Sequence, residues 1–268
     1  MKKVKLLFSL ENKNVVVAGG AGQIGFAMVQ ILADAGANVF IADIDIEMAI
    51  QKIEKDSTIK DKVSFIKLDV SSLDSINSFD KELGDIKIHG LVNCFHFKGN
   101  TRKLDTSSNF FADFENYPEE AWDLVHNVNL KGSFLLSKKL LQKMKNCNAA
   151  IVNISSTYGI VSANKSIYGD SGINSPVAYA TSKAALINLT RYMATHLADD
   201  GIRVNCLSPG GVFNNQAEDF LKNYCEKTPL KRMAKAEDYQ GAILYLISNA
   251  SSYMTGANLV VDGGWTAW

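Results

Sequence analysis

Net charge is the first thing this chain lacks: 28 Lys and Arg balance 28 Asp and Glu over 268 residues. That balance leaves no electrostatic footprint for nucleic acid. Cysteine is scarce and scattered, and Cys94, Cys147, Cys206 and Cys225 form no Cys-x-x-Cys pair. With no ligand-like spacing among the four histidines either, no metal site is expected, and the thiols read as reduced and mostly buried. Long hydrophobic runs are missing too. The stretch 4–10 is interrupted by Lys5, is followed by Glu11 and Lys13, and lacks a small-residue cleavage site. It is too short to span a membrane. Low-complexity tracts, linkers and internal repeats are also absent. What remains is a chain 47% hydrophobic and long enough to bury a large core, expected as one soluble, cytoplasmic domain over 1–268.

Apolar runs of strand length alternate with stretches of helical period. Strands are expected at 14–19, 38–42, 63–68, 88–94, 149–155, 202–207 and 258–261. Most are continuous Val/Ile/Leu-rich runs, as strands are when helices cover both sheet faces. Helices are expected at 22–35, 45–55, 72–83, 118–145, 177–198 and 236–248. Strict alternation implies an α/β fold with a doubly wound, parallel, seven-stranded sheet and helices on both faces. The segments 95–117 and 159–175 follow strand ends and look inserted, at the edge where open α/β sheets bind ligands.

The run Ala18-Gly19-Gly20-Ala21-Gly22-Gln23-Ile24-Gly25 occupies the first strand-to-helix turn. Glycines let the backbone turn tightly and approach a pyrophosphate, while the following helix start offers free N–H groups. Asp43, after the second strand, can accept hydrogen bonds from both adenosine ribose hydroxyls and repels a 2′-phosphate. That pattern favours NAD over NADP. Asp69-Val70 follows the third strand, where Asp69 either meets an adenine amino group or caps the next helix. Asn93, closing the fourth strand, either ties neighbouring strands or lines the same site.

Tyr179 and Lys183 are four residues apart at the start of a helix, hence on one face. Hydride transfer to or from a carbonyl needs a group that moves the oxygen's proton, and a phenol of pKa near 10 is a poor base at neutral pH. An ammonium about 4 Å away favours phenolate by roughly 4 kcal/mol at an effective dielectric of 20. Ser156, just past the fifth strand, can hydrogen-bond a developing oxyanion or simply cap a turn. Tyr158 and Tyr168 compete for the tyrosine role, but neither has a lysine four residues on. Asn129 stands mid-helix, where Asn is mildly unfavourable, so a distortion there can hold a water linking Lys183 to solvent.

These residues, in order, resemble the short-chain dehydrogenase/reductase family in its single-domain branch, over essentially the whole chain. Gly19 and Gly25 carry the family's glycine turn, with Ala18 and Gln23 as departures. Asn129, Ser156, Tyr179 and Lys183 match its Asn-Ser-Tyr-Lys tetrad. Asp69-Val70 resembles its adenine-side pair. Ser208-Pro209-Gly210-Gly211-Val212 resembles the segment contacting the nicotinamide carboxamide, and Asp262-Gly263-Gly264 the C-terminal signature. Asn93-Cys94-Phe95-His96 keeps only the first residue of Asn-Asn-Ala-Gly, and Asn214 stands where a Thr is common. The spacing from Ser156 to Tyr179 is roughly ten residues longer than usual.

The resemblance implies an NAD-dependent oxidoreductase acting on CH–OH groups. It assigns Asn129, Ser156, Tyr179 and Lys183 to catalysis. It assigns Gly19, Gln23, Ile24, Gly25, Asp43, Asp69, Val70, Asn93, Tyr179, Lys183, Pro209, Gly210 and Val212 to the cofactor. It also implies a homo-oligomer, tetramer or dimer. The closing stretch is similar to members linked to bacterial flagellin modification and amino-sugar or nonulosonic acid synthesis. That points to a small-molecule substrate of the sugar class, phosphorylated or nucleotide-linked, chosen by 95–117, 159–175 and 213–228. The basic cluster His96, Lys98, Arg102 and Lys103 suits an anion, although such clusters are commonly just solvated. Two alternatives stand beside this reading. One is a sugar-nucleotide epimerase or dehydratase using bound NAD, expected to need residues beyond the last strand. The other is a non-catalytic dinucleotide-binding subunit, against which the complete tetrad argues.

Overall fold

A computed structural model describes residues 2–55, 57–99, 109–169 and 175–268. Its seven strands are β1 (Asn14–Ala18), β2 (Asn38–Asp43), β3 (Val63–Lys67), β4 (Gly90–Asn93), β5 (Ala149–Ile154), β6 (Ile202–Pro209) and β7 (Asn258–Val261). They form one sheet in the order β3-β2-β1-β4-β5-β6-β7, every neighbouring pair parallel. The order reverses between β1 and β4, and ligands of such sheets bind beyond the strand C-termini at that reversal.

The α-helices among the described residues are α1 (Lys2–Phe8), α2 (Gln23–Asp34), α3 (Ile46–Lys55), α4 (Leu73–Leu83), α5 (Glu119–His126), α6 (Ser133–Met144), α7 (Val177–His196), α8 (Glu218–Lys227) and α9 (Gln240–Ile247). Successive strand residues face opposite ways, so each strand feeds two cores. Val15 and Val17 join Met28, Leu32 and Ala49 with Ile243 and Leu246, from α2, α3 and α9. Val16 and Ala18 join Ile76, Phe79, Leu136, Leu140 and Met193, from α4, α6 and α7. Burial on both faces is why the strands read as unbroken apolar runs.

Several boundaries differ from the sequence-based expectation. β1 stops at Ala18 because Gly19 turns away with φ +84°. The apolar run at 88–94 pairs only over Gly90–Asn93. β6 runs on to Pro209, since Ser208 and Pro209 pair with Val260 and Val261. The stretch 118–145, expected as one helix, is α5 and α6 joined by a π-helical turn, Asn127–Gly132. Within that turn the Ser133 hydroxyl donates to the Asn129 carbonyl at 2.9 Å. Gly132 packs against Val70 so closely that an added Cβ would lie 3.0 Å from the valine Cβ. The segment 213–228, expected as a loop, contains α8. Its Phe220, Leu221, Tyr224 and Cys225 pack into a third core with Ile167, Met233 and Trp265. The 236–248 helix begins as a 3₁₀ turn, Ala236–Tyr239.

Candidate active site

The glycine turn, Asp43, Asp69, Asn93, Ser156 and Pro209–Val212 all lie at or just past strand C-termini, which brings them to one edge of the sheet. At Gly19 the positive φ is only part of the constraint. A Cβ there would lie 2.5 Å from the Phe95 nitrogen. At Gly25 a Cβ would lie 2.1 Å from the Gly19 carbonyl oxygen, so the turn closes only if that position is bare. Gly22 caps α2 without a side chain of its own. The first-turn N–H groups of Gln23, Ile24 and Gly25 therefore face outward as a ready anion cradle. A bare, closely approachable turn ending in free N–H groups fits the pyrophosphate of a dinucleotide.

Asp43 sits at the end of β2 beside that turn. Its Oδ2 accepts from the Ala21 N–H at 2.9 Å and its Oδ1 from the Asp45 N–H at 3.1 Å. Each oxygen keeps lone-pair capacity for further donors. Lys52 of α3 holds the same turn from below, donating to the Ala21 carbonyl at 2.6 Å while lying 5.1 Å over the Phe26 ring. Burial lowers the Lys52 pKa, against the raising effect of Asp43. Nothing in the sequence pattern pointed to Lys52. Gln23, where the family motif has glycine, turns its side chain outward and donates to the Phe213 carbonyl at 2.8 Å. That bond ties the turn to the segment after β6. Beside it opens a cavity of about 530 Å³ lined by Gln23, Phe26, Lys52, Phe213, Asn214 and Lys235 among others. Its lining includes none of Ser156, Tyr179 and Lys183, so it borders the glycine turn and not the tetrad.

Asp69 is not a helix cap. The cap of α4 is Ser72, whose hydroxyl accepts from the Ser75 N–H. Asp69 Oδ1 instead accepts from the Ser71 N–H at 2.9 Å and the Ser71 hydroxyl at 2.6 Å. Val70 is buried against the π-turn. Asn93 ties strands together: its amide donates to Asn153 Oδ1 at 2.8 Å and to the Ser137 hydroxyl at 3.2 Å. Its own Oδ1 is buried and unpartnered among the described residues. After β6, Gly210 abuts Asp262, and the Gly211 N–H donates to the Tyr224 hydroxyl at 2.6 Å. Val212 bridges Ala234, so the whole segment is clamped.

The tetrad residues converge from three separate stretches of chain. Ser156 follows β5 with an extended backbone, and its hydroxyl accepts from the Tyr158 N–H at 3.2 Å. The Ser156 hydroxyl lies beside the Tyr179 phenol, close enough to pull its pKa down. Lys183, one turn along α7 and only 2% exposed, lies with Nζ 5.7 Å from the centre of the Tyr179 ring. It donates to the Ile154 carbonyl at 2.7 Å. Burial lowers its pKa to about 8, with Cys94 and Cys206 pulling the other way.

The structure corrects one expectation here. Tyr179 is raised, not lowered: burial is the largest cause, and the Ser156 hydroxyl opposes it. Removing the phenol from water outweighs the help of the Ser156 hydroxyl, while the Lys183 ammonium is directed at the Ile154 carbonyl. Asn129 is fully buried on the π-turn. Its carboxamide clasps the main chain of Phe97, accepting from N–H at 2.7 Å and donating to O at 2.9 Å, with a third bond to the Ser182 hydroxyl at 3.0 Å.

The His96 ring stands edge-on to Tyr179, with centroids 6.1 Å apart and planes at 71°. Lys98 is half-buried nearby, and desolvation lowers its pKa. Arg102 and Lys103, the rest of the basic cluster, lie outside the described residues, as do parts of the 95–117 and 159–175 segments. The Tyr158 and Tyr168 phenols lie close enough to shift each other's pKa, and Ser175 acts on Tyr168 as well. Tyr168 packs on Phe220, Phe220 on Tyr224, and Tyr224 stacks on Trp265 at 4.4 Å. The long insertion thus leans on α8 and the C-terminal tail. Trp265 closes on its own chain, whereas Trp268 is exposed. The sequence reading had no role for Tyr224 or α8, although the Phe220, Leu221, Tyr224, Cys225 spacing is that of one helix face.

The profile of the family described as enoyl-(acyl carrier protein) reductase matches residues 19–266. A post-translational flagellin modification protein A from Campylobacter coli is 32% identical, over 96% of this chain and 99% of its own. A D-arabinitol 2-dehydrogenase (ribulose-forming) from Candida tropicalis is 30% identical, over 97% of this chain and 95% of its own. The crystal structure of a short chain dehydrogenase from Leptospira borgpetersenii with bound NAD+ superposes with a TM-score of 0.81 at 35% identity, covering 96% of this chain and 93% of that one. The chain belongs to the short-chain dehydrogenase/reductase family and is an oxidoreductase acting on alcohol or ketone groups with a nicotinamide cofactor.

Proposed function

We propose that the chain is an NAD-dependent dehydrogenase/reductase of a sugar or sugar derivative. In this reading Tyr179 exchanges the proton and Ser156 hydrogen-bonds the reacting oxygen. Lys183 biases the phenol and holds the cofactor ribose, while Asn129 fixes the site and its proton route. The observation that carries it is the placing of Ser156 beside the Tyr179 phenol, with the buried Lys183 Nζ 5.7 Å from the centre of that ring. Two neutral hydroxyls aimed together make a receptor for one substrate oxygen.

When bound, the nicotinamide supplies the hydride acceptor for alcohol oxidation and, in its oxidised form, a positive charge. The carbinol carbon gives up its hydrogen with the bonding pair, its hydroxyl proton passes to Tyr179 Oη, and a carbonyl remains. Burial alone keeps the phenol protonated, so before it takes the alcohol proton it must release its own through the water route to solvent. That release would be favoured by the positive charges of the oxidised nicotinamide and Lys183. Ser156 donates to the oxygen as negative charge develops on it. The π-turn leaves the Asn129 carbonyl with a lone pair beyond the one used by Ser133, an acceptor for a water on the proton route.

We read Gly19, Gln23, Ile24, Gly25, Asp69, Val70, Asn93, Pro209, Gly210 and Val212 as the cofactor's surroundings, and Asp43 as the reason for NAD. Its carboxylate suits two ribose hydroxyls and repels a 2′-phosphate. The bound NAD+ in the Leptospira protein supports that reading. The sugar assignment is supported by the names of the Candida and Campylobacter relatives and by the phenols and neutral imidazole that line this end of the cleft. We further read the chain as one cytoplasmic domain that assembles as a homodimer or homotetramer. The exposed Trp122, Phe134 and Tyr192 on α5, α6 and α7 support assembly. Phosphorylated and nucleotide-linked sugars belong in the substrate class on the strength of Lys98 and its basic neighbours. Among the described residues no helix is long and apolar enough to cross a membrane.

The test is thermal shift with NAD and NADP, followed by NADH absorbance on polyols, phosphosugars and sugar nucleotides. The reading expects stabilisation by NAD well above that by NADP, and NADH formation with at least one sugar-class alcohol. Equal response to both cofactors would remove the Asp43 assignment. No turnover across the panel despite tight NAD binding would favour a non-catalytic role.

A further inference from the structure

We infer that His96 is a specificity-determining residue that reads the hydroxyl on the carbon next to the reacting carbinol. The inference rests on the oxidoreductase reading above. It begins with the backbone on either side of His96. Phe97, the next residue, is held at both its N–H and its carbonyl by the Asn129 carboxamide, at 2.7 and 2.9 Å. On the other side the Cys94 N–H donates to the Ala18 carbonyl at 2.8 Å. Phe95 passes so close to Gly19 that no side chain fits there. The main chain at His96 is therefore pinned from both flanks, which places its Cβ beside the Tyr179 end of the cleft.

That ring stands 6.1 Å from the Tyr179 ring, edge-on at 71°. The ring is exposed to solvent. Desolvation first, then the charges of Lys183 and Lys98, hold the imidazole well below its usual pKa. A neutral imidazole has one N–H donor and one lone-pair acceptor. A hydroxyl also has one of each, so the two match in either direction. Neither ring nitrogen has a hydrogen-bond partner among the described residues. Tyr179 and Ser156 together fix one substrate oxygen, and the side chain beside Tyr179 then meets whatever the adjacent carbon carries. The site is thus matched to vicinal diols and their hydroxyketones, and less so to isolated alcohols.

The test compares trans-1,2-cyclohexanediol with cyclohexanol, which differ by that one hydroxyl, as the ratio of their kcat/KM values with NAD. His96→Phe keeps a T-shaped ring against Tyr179 but removes both nitrogens. His96→Asn keeps a donor and an acceptor. NAD-induced thermal shift confirms that each variant is folded. The unaltered protein is expected to prefer the diol. In His96→Phe the ratio should fall roughly tenfold, the worth of one well-placed hydrogen bond, whereas in His96→Asn it should stay within about threefold. A ratio unchanged in His96→Phe, or one lost equally in both variants, would assign the ring to packing alone and overturn the inference. Equal use of both alcohols by the unaltered protein would overturn it as well. Absence of turnover by the unaltered protein on these alcohols and on the whole sugar panel overturns the oxidoreductase reading beneath it.

Discussion

Around Gly19–Gly25 the chain works by leaving side chains out, and around Ser156, Tyr179 and Lys183 it works by crowding them in. The glycine end is held by main-chain geometry and by partners fixed from outside: Asp43 on the Ala21 N–H, Lys52 on the Ala21 carbonyl, Gln23 on Phe213. Its groups that face a phosphate are backbone N–H groups, which do not titrate. The tetrad end is the reverse. Its ammonium is 2% exposed, and its phenol is raised by burial. The difference separates two tasks. Binding a phosphate needs close approach and fixed dipoles, whereas moving a proton needs groups whose charge is costly enough to be shifted.

If that division is right, the largest loss of cofactor affinity comes from adding one carbon at the bare end. Gly25→Ala places a Cβ against the Gly19 carbonyl at a separation that backbone cannot tolerate. Relief requires the turn to open, at about 3 kcal/mol. Borne by binding, that weakens NAD on the order of 100-fold in a titration of intrinsic fluorescence. Near-unchanged affinity would mean that the cofactor does not touch this turn.

A smaller effect, confined to the crowded end, is a pH signature. Burial takes Lys183 from its ordinary 10.5 to about 8. Between those values the unfolded chain binds more protons than the native one, so stability should rise with pH across roughly 8 to 10.5, by at most about 3 kcal/mol. Lys183→Met removes the titrating group. Urea denaturation across that window should show the difference between the two proteins growing with pH. A constant difference would mean that the ammonium is not buried in the native protein.

The two ends were also unequally legible. Val15-Val16-Val17 followed by glycines announces a buried strand and a tight turn, because both signals are local. The parallel topology followed from strict alternation, and Asp43 from its position after β2. The tetrad could be picked out by motif, but its wiring could not. Asn129 clasps Phe97, 32 residues away, and the only trace in the sequence is an Asn inside a helical stretch. A 3.6-residue period carries smoothly over 118–145, so apart from Asn129 itself the π-turn at Asn127–Gly132 left no mark in the pattern. Lys183 was placed on the right helix face, yet its bond to the Ile154 carbonyl is a tertiary fact with no local signal. For α8 the signal was present, in Phe220, Leu221, Tyr224 and Cys225. It was masked by its position between a glycine-rich strand end and Pro229, where a loop is the usual reading.

Tyr179→Phe tests the division most directly, because it deletes one oxygen at the crowded end and touches nothing at the bare end. NAD affinity and NADH formation are measured on the same preparation, with the best sugar-class alcohol found. The expected result is an NAD dissociation constant within about threefold of the unaltered protein, with kcat lower by on the order of 1,000-fold, the usual worth of a positioned proton-transfer group. Turnover retained within tenfold would contradict the account, and so would loss of NAD binding in step with loss of turnover.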